Sequence, residues 1–321
     1  MPRFPFSSFP SGCYAVAFSH ELERKGIVER TFMGRKVVVF RGASGQPAML
    51  DAHCPHMGAS FARGGRVEGD VIRCPMHGFT FDREGTCTAT GYGAKPPPTC
   101  RARSTKVVEQ AGVVLAFHGA SASWQPPAPD FTGFTPLRTH TFASLATHPQ
   151  ETTENTVDVG HLSIVHGYND VTILEPLRAE GPYLTTRYRM KRRGLMPGTP
   201  DIAAEFTIHV HGLGYSYVEV DIPSHRMQSR HYVLSTPTDA DHVDLRVSSC
   251  VRIVGGPLRF LPVSVVDQIV GRFAFKGFLG DVVQDLHIWE NKTYIHPPPL
   301  ALGDGPVGRY RTWTRQFYSE A

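Results

Sequence analysis

Between positions 13 and 118 the apolar residues come in short, compact runs. Tyr14-Ala15-Val16-Ala17-Phe18, Lys36-Val37-Val38-Val39-Phe40 and Val113-Val114-Leu115-Ala116-Phe117 are separated by turn chemistry such as Gly42-Ala43-Ser44-Gly45 and Asp82-Arg83-Glu84-Gly85. Runs of this kind between Gly-rich turns predict strands. A Ser/Pro-rich stretch from Gly119 to Pro129 predicts a linker. The pattern then changes. Gln150 to Val165 holds no Pro and only Gly160, and its polar residues lead into Val157, Leu162 and Ile164, which predicts a helix. Residues 184–254 return to strands, with Phe206, Ile208 and Val210 alternating, then Leu245, Val247 and Ser249, and a loop at Thr236 to His242. A second helical region is predicted from Pro262 to about Trp289 despite Gly271, Gly277 and Gly280. The expected fold class is therefore α+β. An all-β domain (1–120) and a linker (121–130) precede a domain of helix, antiparallel sheet and helix (131–321). No internal repeat is visible.

Composition narrows this picture. A chain of 321 residues suggests two domains at about 150 residues each. Gly (31) and Pro (26) exceed their usual share, which favours turns and short strands over a helix bundle. A net charge of +4 is too mild to imply a nucleic-acid partner. The most apolar region, Val251 to Val283, is broken by Arg252, Arg259, Asp267, Arg272, Lys276 and Asp281, so no membrane span is expected. The first residues carry Pro2, Pro5 and Pro10 and do not read as a signal peptide. Six cysteines are too few for a disulfide scaffold, so a reducing cytoplasm is expected and clustered cysteines become metal-ligand candidates. The 16 histidines are the larger anomaly.

The most specific chemical signal is Cys54-Pro55-His56 followed, after 17 residues, by Cys74-Pro75-Met76-His77. Two thiolates and two imidazoles suit a tetrahedral zinc ion, but the spacing is not that of a zinc finger. They also suit a Rieske [2Fe–2S] cluster, in which cysteines hold one iron and histidines the other. The cluster reading is the stronger, because both loops sit within a β-domain. Gly58 and Gly78 are expected to let backbone N–H groups approach the sulfides. Pro96-Pro97-Pro98 is expected to form a third loop over the cluster. His53 has no place in the pattern.

A second constellation reads Asp158-Val159-Gly160-His161-Leu162-Ser163-Ile164-Val165-His166. Asp158 and His161 are i,i+3 on the predicted helix. His166 lies roughly 140° around an ideal helix from His161, so both imidazoles reach one ion only if the helix ends between them. Gly167 is the expected stop. Two histidines and a carboxylate define a facial triad with open positions, as in non-haem Fe(II) oxygenases. Asp158 suits an acceptor for the ring N–H of His161 better than a ligand. From spacing alone, Asp281 or Asp285 supplies the third ligand. His209 and His211 lack a visible third partner and read as a polar strand face. Cys13, Cys87, Cys100 and Cys250 read as packed side chains.

The two constellations together resemble those of the Rieske non-haem iron oxygenases, over nearly the whole chain from about Phe6 to Tyr318. Within that superfamily the chain is most similar to the 3-ketosteroid 9α-hydroxylase oxygenases, and it also resembles the cholesterol 7-desaturases and the hydroxylases of guanidinium-toxin biosynthesis. The closer match is carried by Asp51 to His56, Glu154-Asn155 with Asp158 and His161, Asp285 to Lys292, and Trp313 to Tyr318. The resemblance implies that Cys54, His56, Cys74 and His77 hold the [2Fe–2S] cluster. It implies that His161, His166 and Asp285, the Asp preceding Ile288-Trp289, hold a mononuclear Fe(II). Asp158 would bridge His161 to His77 of a neighbouring subunit in a head-to-tail homotrimer. A helix-grip catalytic domain is implied too. So are a flavin/iron–sulfur reductase, with or without a ferredoxin, as electron donor and an O₂-dependent hydroxylation or desaturation of a hydrophobic, steroid-like polycycle. Ring dihydroxylation and O- or N-demethylation use the same ligands. A Rieske electron carrier without oxygenase activity is the reading of another class, and the intact two-His, one-Asp set stands against it. Phe79 replaces a Trp found in many relatives.

Overall fold

The computed structural model describes residues 3–119, 124–193 and 200–318. The chain divides into two compact units, one of residues 13–118 with 237–240, the other of 1–12 with 119–236 and 241–321. The expected linker lies partly outside the described residues; 124–130 carry neither helix nor strand.

The first unit is built from short strands. In chain order they are β1 (Gly12–Phe18), β2 (Ile27–Phe32), β3 (Arg35–Arg41), β4 (Pro47–Asp51), β5 (Arg66–Glu68), β6 (Val71–Arg73), β7 (Thr80–Phe81) and β8 (Cys87–Ala89). β9 (Ser104–Thr105), β10 (Val107–Gln110) and β11 (Val113–His118) complete it, with one helix, α1 (Ser19–Lys25), after β1. They form three antiparallel sheets in the orders β1-β11-β10, β2-β3-β4-β9 and β5-β6-β7-β8. The apolar runs of β1, β3 and β11 are buried along their length, as continuous runs are when both faces are covered. One core joins Val38, Phe40, Leu50, Phe61, Ile72, Phe79 and Phe81 to Cys54 and Cys74. Both cysteines are thus rooted in packed apolar structure, while the residues that follow them turn outward.

In the second unit β12 (Arg138–Leu145), β13 (Asn169–Glu180), β14 (Tyr183–Arg192), β15 (Ile202–His211), β16 (Tyr215–Ile222), β17 (Met227–Pro237) and β18 (Val243–Ile253) form one seven-stranded sheet. Its order is β12-β18-β17-β16-β15-β14-β13. Two short helices, α2 (Pro149–Glu154) and α3 (Val159–Ile164), precede β13. After β18 come α4 (Val263–Val266), a π turn at Asp267–Gly271, α5 (Arg272–Asn291) and α6 (Val307–Thr314). The register pairs Leu184 with Val210 and Tyr188 with Phe206, so even-numbered residues of β14 and β15 share a face. That face packs against α6 through Tyr310 and Trp313. Further across the sheet, Leu245 and Val247 pack against Val282 and Trp289 of α5.

The architecture is the expected all-β unit followed by an α+β unit, with three differences in detail. The sheet of the second unit starts with β12, which was not foreseen, and its strands resume at Asn169 rather than 184. Pro176 breaks the strand pattern of β13, and it is tolerated because β13 is an edge strand with a register shift between Glu175 and Arg178. The helix expected over 150–165 is two helices. The Thr152 and Thr153 hydroxyls fold back onto Pro149 O, and Asp158 starts a new helix as its N-cap. Among the described residues, no helix is long and apolar enough to cross a membrane.

Candidate metal centres

The two Cys loops of the first unit share one backbone design. Cys54 N–H donates to Ala59 O and Gly58 N–H to Cys54 O, both at 2.8 Å. In the second loop Cys74 N–H donates to Phe79 O at 2.8 Å and Gly78 N–H to Cys74 O at 3.2 Å. Gly58 and Gly78 have φ of +77° and +67°, the left-handed turn that closes each loop. Their own N–H groups close the loops onto the cysteine carbonyls. The loops differ in where the histidine falls, second after Cys54 and third after Cys74. The His56 and His77 rings still meet, with centroids 4.9 Å apart at 75°. Phe79 stacks on His56 at 4.2 Å and 7°, which fixes one imidazole plane.

A third segment, Gly91 to Tyr92, lies against the second loop. Gly91 N–H donates to His77 O at 3.0 Å, and the Tyr92 ring packs on Phe79. A Cβ at Gly91 would lie 2.3 Å from His77 O, so only glycine fits there. His53 pairs through its backbone with Ser60 and stays outside the constellation. Burial raises the Cys54 thiol to about 12, and Cys74 lies beside it. His56 Nδ1 is buried without a hydrogen-bond partner. Two buried thiols and an imidazole nitrogen with an unused lone pair fit an iron–sulfur cluster, which supplies the missing partners. Outside them lies a cleft of about 410 Å³ bounded by Arg66, Arg73, Met76, His77 and Tyr92. Its surroundings are apolar as well as basic, with Met57, Met76 and Tyr92 exposed.

In the second unit His161, His166 and Asp285 converge, with one ligand atom from each within 4.8 Å of the others. His161 Nε2 lies 2.8 Å from Asp285 Oδ1 and 3.1 Å from His166 Nε2, and His166 Nε2 lies 3.5 Å from the same carboxylate oxygen. The rings cross at 83°. The local sequence explains how. α3 ends at Ile164, and Gly167 at φ +67° turns the chain, which brings His166 back beside His161. α5 delivers Asp285, and Trp289, one turn on, donates to Asn155 Oδ1 at 3.4 Å. Asn155 Nδ2 in turn lies 3.3 Å from His161 Nε2. His166 Nδ1 is held by Gln284 Oε1 at 3.0 Å. Gln284 was not foreseen, and no sequence signal separates it from other helical glutamines.

Asp281, the other carboxylate left open by spacing, is engaged elsewhere. It accepts from Tyr168 OH at 3.0 Å and from Arg192 at 2.8 and 3.1 Å. Asp158 accepts from the backbone N–H of His161 at 3.1 Å as the N-cap of α3, not from the imidazole ring as expected. Asp285 Oδ1 is buried with no hydrogen-bond partner. A buried carboxylate oxygen facing two imidazole nitrogens is an uncompensated arrangement unless a cation joins them, so the donor set fits a divalent metal. His209 and His211 lie on the opposite face of the sheet. His209 Nδ1 bonds Tyr183 OH at 2.8 Å, its Nε2 is 3.9 Å from Glu219 Oε1, and burial lowers His211 to about 4.

A β-domain with a two-Cys, two-His double loop, followed by a sheet-and-helix domain with a two-His, one-Asp triad, defines a Rieske-type oxygenase component. Comparison with known proteins agrees. Residues 12–101 match the Rieske [2Fe-2S] domain, and residues 118–318 match the 3-ketosteroid 9alpha-hydroxylase C-terminal domain. The chain belongs to this family and is a Rieske non-haem iron monooxygenase. It is 30% identical over 307 residues to a probable 3-ketosteroid-9-alpha-monooxygenase oxygenase component of Rhodococcus rhodochrous, covering 89% of this chain and 74% of that one. It is 28% identical over 338 residues to a cholesterol 7-desaturase of Ciona intestinalis, covering 97% and 69%. Among solved structures, Pseudomonas putida CBB5 NdmA with caffeine is similar at a TM-score of 0.76 and 17% identity, over 94% of this chain and 89% of that one.

Proposed function

We propose that this chain hydroxylates or desaturates a C–H bond of a hydrophobic, steroid-like polycycle, using O₂ and electrons from a separate flavin/iron–sulfur reductase. The observation that carries this is the meeting of His161, His166 and Asp285 in a chain that also holds the Cys54, His56, Cys74 and His77 double loop. Two kinds of similar named relative, the 3-ketosteroid monooxygenase components and the cholesterol 7-desaturases, carry steroid names and support the substrate class. In this reading the four loop residues hold the [2Fe–2S] cluster, and the triad holds Fe(II), which binds and activates O₂ when present. Free cysteines in both units suit a cytoplasmic setting.

The residues divide the remaining work. Trp289, Asn155 and Gln284 orient the two imidazoles, so the triad is formed before substrate arrives. Asp158 fixes the backbone of His161 and, in a homotrimer, also relays electrons from a neighbour's His77. The exposed Met57, Met76 and Tyr92 form an apolar rim around His77, where a partner surface excludes water and shortens the transfer distance. Arg66 and Arg73 beside them favour an acidic reductase or ferredoxin face. The reading is tested by EPR of the reduced, iron-loaded protein under nitric oxide, with and without a 4-ene-3-ketosteroid. The expected result is a ferrous-nitrosyl signal that changes with steroid. A signal indifferent to steroid removes the substrate class, and no signal despite full iron loading removes the oxygenase assignment.

A further inference from the structure

On the helix-covered face of the seven-stranded sheet, one buried titratable side chain plays no part in either metal centre. His231 of β17 stands opposite Val218 of β16, and its ring lies 4.4 Å from that of Phe278 on α5. Nε2 lies 2.9 Å from Ser229 Oγ, while Nδ1 is enclosed and has no hydrogen-bond partner. An enclosed polar atom left unpaired forfeits its hydration for nothing, which is destabilising unless a ligand completes it. The apolar neighbours on the same face tell a consistent story. Phe206, Ile208, Val218, Val233 and Phe278 are only half-buried although they are on the covered side, so they border open space. Phe206 packs on Tyr168, and Tyr168 on His166, which links this space to the triad. Along α5, Phe278 and Asp285 are two turns apart on one face, about 10.5 Å.

We propose that His231 is a positioning residue whose Nδ1–H holds a ketone oxygen at the far end of the substrate from the carbon presented to His161, His166 and Asp285. The substrate skeleton rests on the steroid-like reading above; the oxygen rests on Nδ1. The donating tautomer carries the one proton of a neutral ring on Nδ1, with Ser229 Oγ donating to Nε2 across their 2.9 Å contact. Burial keeps the ring neutral by pushing its pKa down to about 3. A span of two helical turns suits four fused rings and leaves a single ring unable to reach both ends.

The test compares cholest-4-en-3-one with cholest-4-ene, which differ in that one oxygen, by equilibrium dialysis against iron-loaded protein. The wild-type chain is expected to bind the ketone at least about tenfold more tightly. His231→Phe should abolish that preference while leaving the cholest-4-ene affinity unchanged, and His231→Asn, whose amide N–H stands near the Nδ1 position, should restore part of it. Equal loss for both ligands, or a preference that survives in His231→Phe, overturns the proposal. A second measurement needs no ligand. Ser229→Ala with His231→Phe removes both polar partners together, and its Tm should equal or exceed the wild-type value. A clear fall in Tm means that Nδ1 is already satisfied within the fold, which also overturns the proposal. Binding of neither steroid by the wild-type chain overturns the steroid reading instead, and the Tm of the double variant then decides for or against the free Nδ1.

Discussion

Asp158 illustrates how one side chain carries a structural and a functional role that substitutions separate. Its Oδ1 caps the His161 N–H, and Asn at the same place keeps that acceptor but loses the charge. Asp158→Asn is therefore expected to keep its iron and its Tm while losing most turnover, if the relay reading holds. Asp158→Ala should lose turnover and also about 1 kcal/mol of stability with the cap. Turnover and thermal unfolding of the two variants side by side check this; full activity in Asp158→Asn removes the relay. At the triad, Asp285→Ala is expected to lose the mononuclear iron while retaining the visible absorption of the cluster, by metal analysis and spectrum. Asp281→Asn should keep the iron, because its carboxylate serves Tyr168 and Arg192 instead. Loss of one charged partner there should lower stability by about 1–3 kcal/mol.

At the level of elements, the termination of α3 decides whether the triad exists. Gly167 lies at φ +67°, and nothing stands within 4 Å of an added Cβ, so Gly167→Ala meets only a backbone penalty of about 1 kcal/mol. That penalty is relieved by leaving the left-handed turn, which carries His166 away from His161. Iron binding is thus expected to weaken several-fold, measured by competition with a chelator. Gly280, in the interior of α5 with equally open space, should respond in the opposite direction. Gly280→Ala is expected to raise stability by roughly 0.5–1 kcal/mol, read from thermal unfolding. The same contrast shows what the sequence could reveal. Gly167 announced a stop because His161 and His166 could not otherwise share an ion. β13 stayed hidden because Pro176 masks an edge strand whose pairing depends on β14. The break between α2 and α3 stayed hidden because Thr152, Thr153 and Asp158 act through hydrogen bonds that polarity patterns do not record. The metal residues were legible because coordination chemistry restricts residue type and spacing. The support of His166, Gln284, comes from an element distant from it in sequence and had no local signature.

Across the whole molecule, the two units should differ in their response to acid. Burial holds four histidines of the second unit below their ordinary range, His148 and His231 at about 3, His211 at about 4, and His209 lowered as well. For such a group the unfolded chain binds a proton that the folded chain refuses between the two pKa values, so stability rises with pH there. The contribution is complete above about pH 6.5 and is lost as pH falls, with a slope of at most about 1.4 kcal/mol per pH unit for each histidine. Glu151 and Asp281, raised mainly by burial, work in the opposite sense. In the first unit, the Arg41 hydrogen bonds hold Glu109 below the usual carboxylate range, so that contribution is lost only below about pH 4.5. Between about pH 6.5 and 5 the second unit should therefore soften first. Calorimetry of the metal-loaded protein is expected to show a second-unit transition that is level above pH 7 and falls below it. Metal release from His161 and His166 would add to that fall, so the decisive sample is His211→Phe, which is no ligand and stacks near Tyr183. It should flatten the acid slope without changing iron content. An unchanged slope in that variant means that the buried histidines do not govern the acid response, and that ligand protonation alone does.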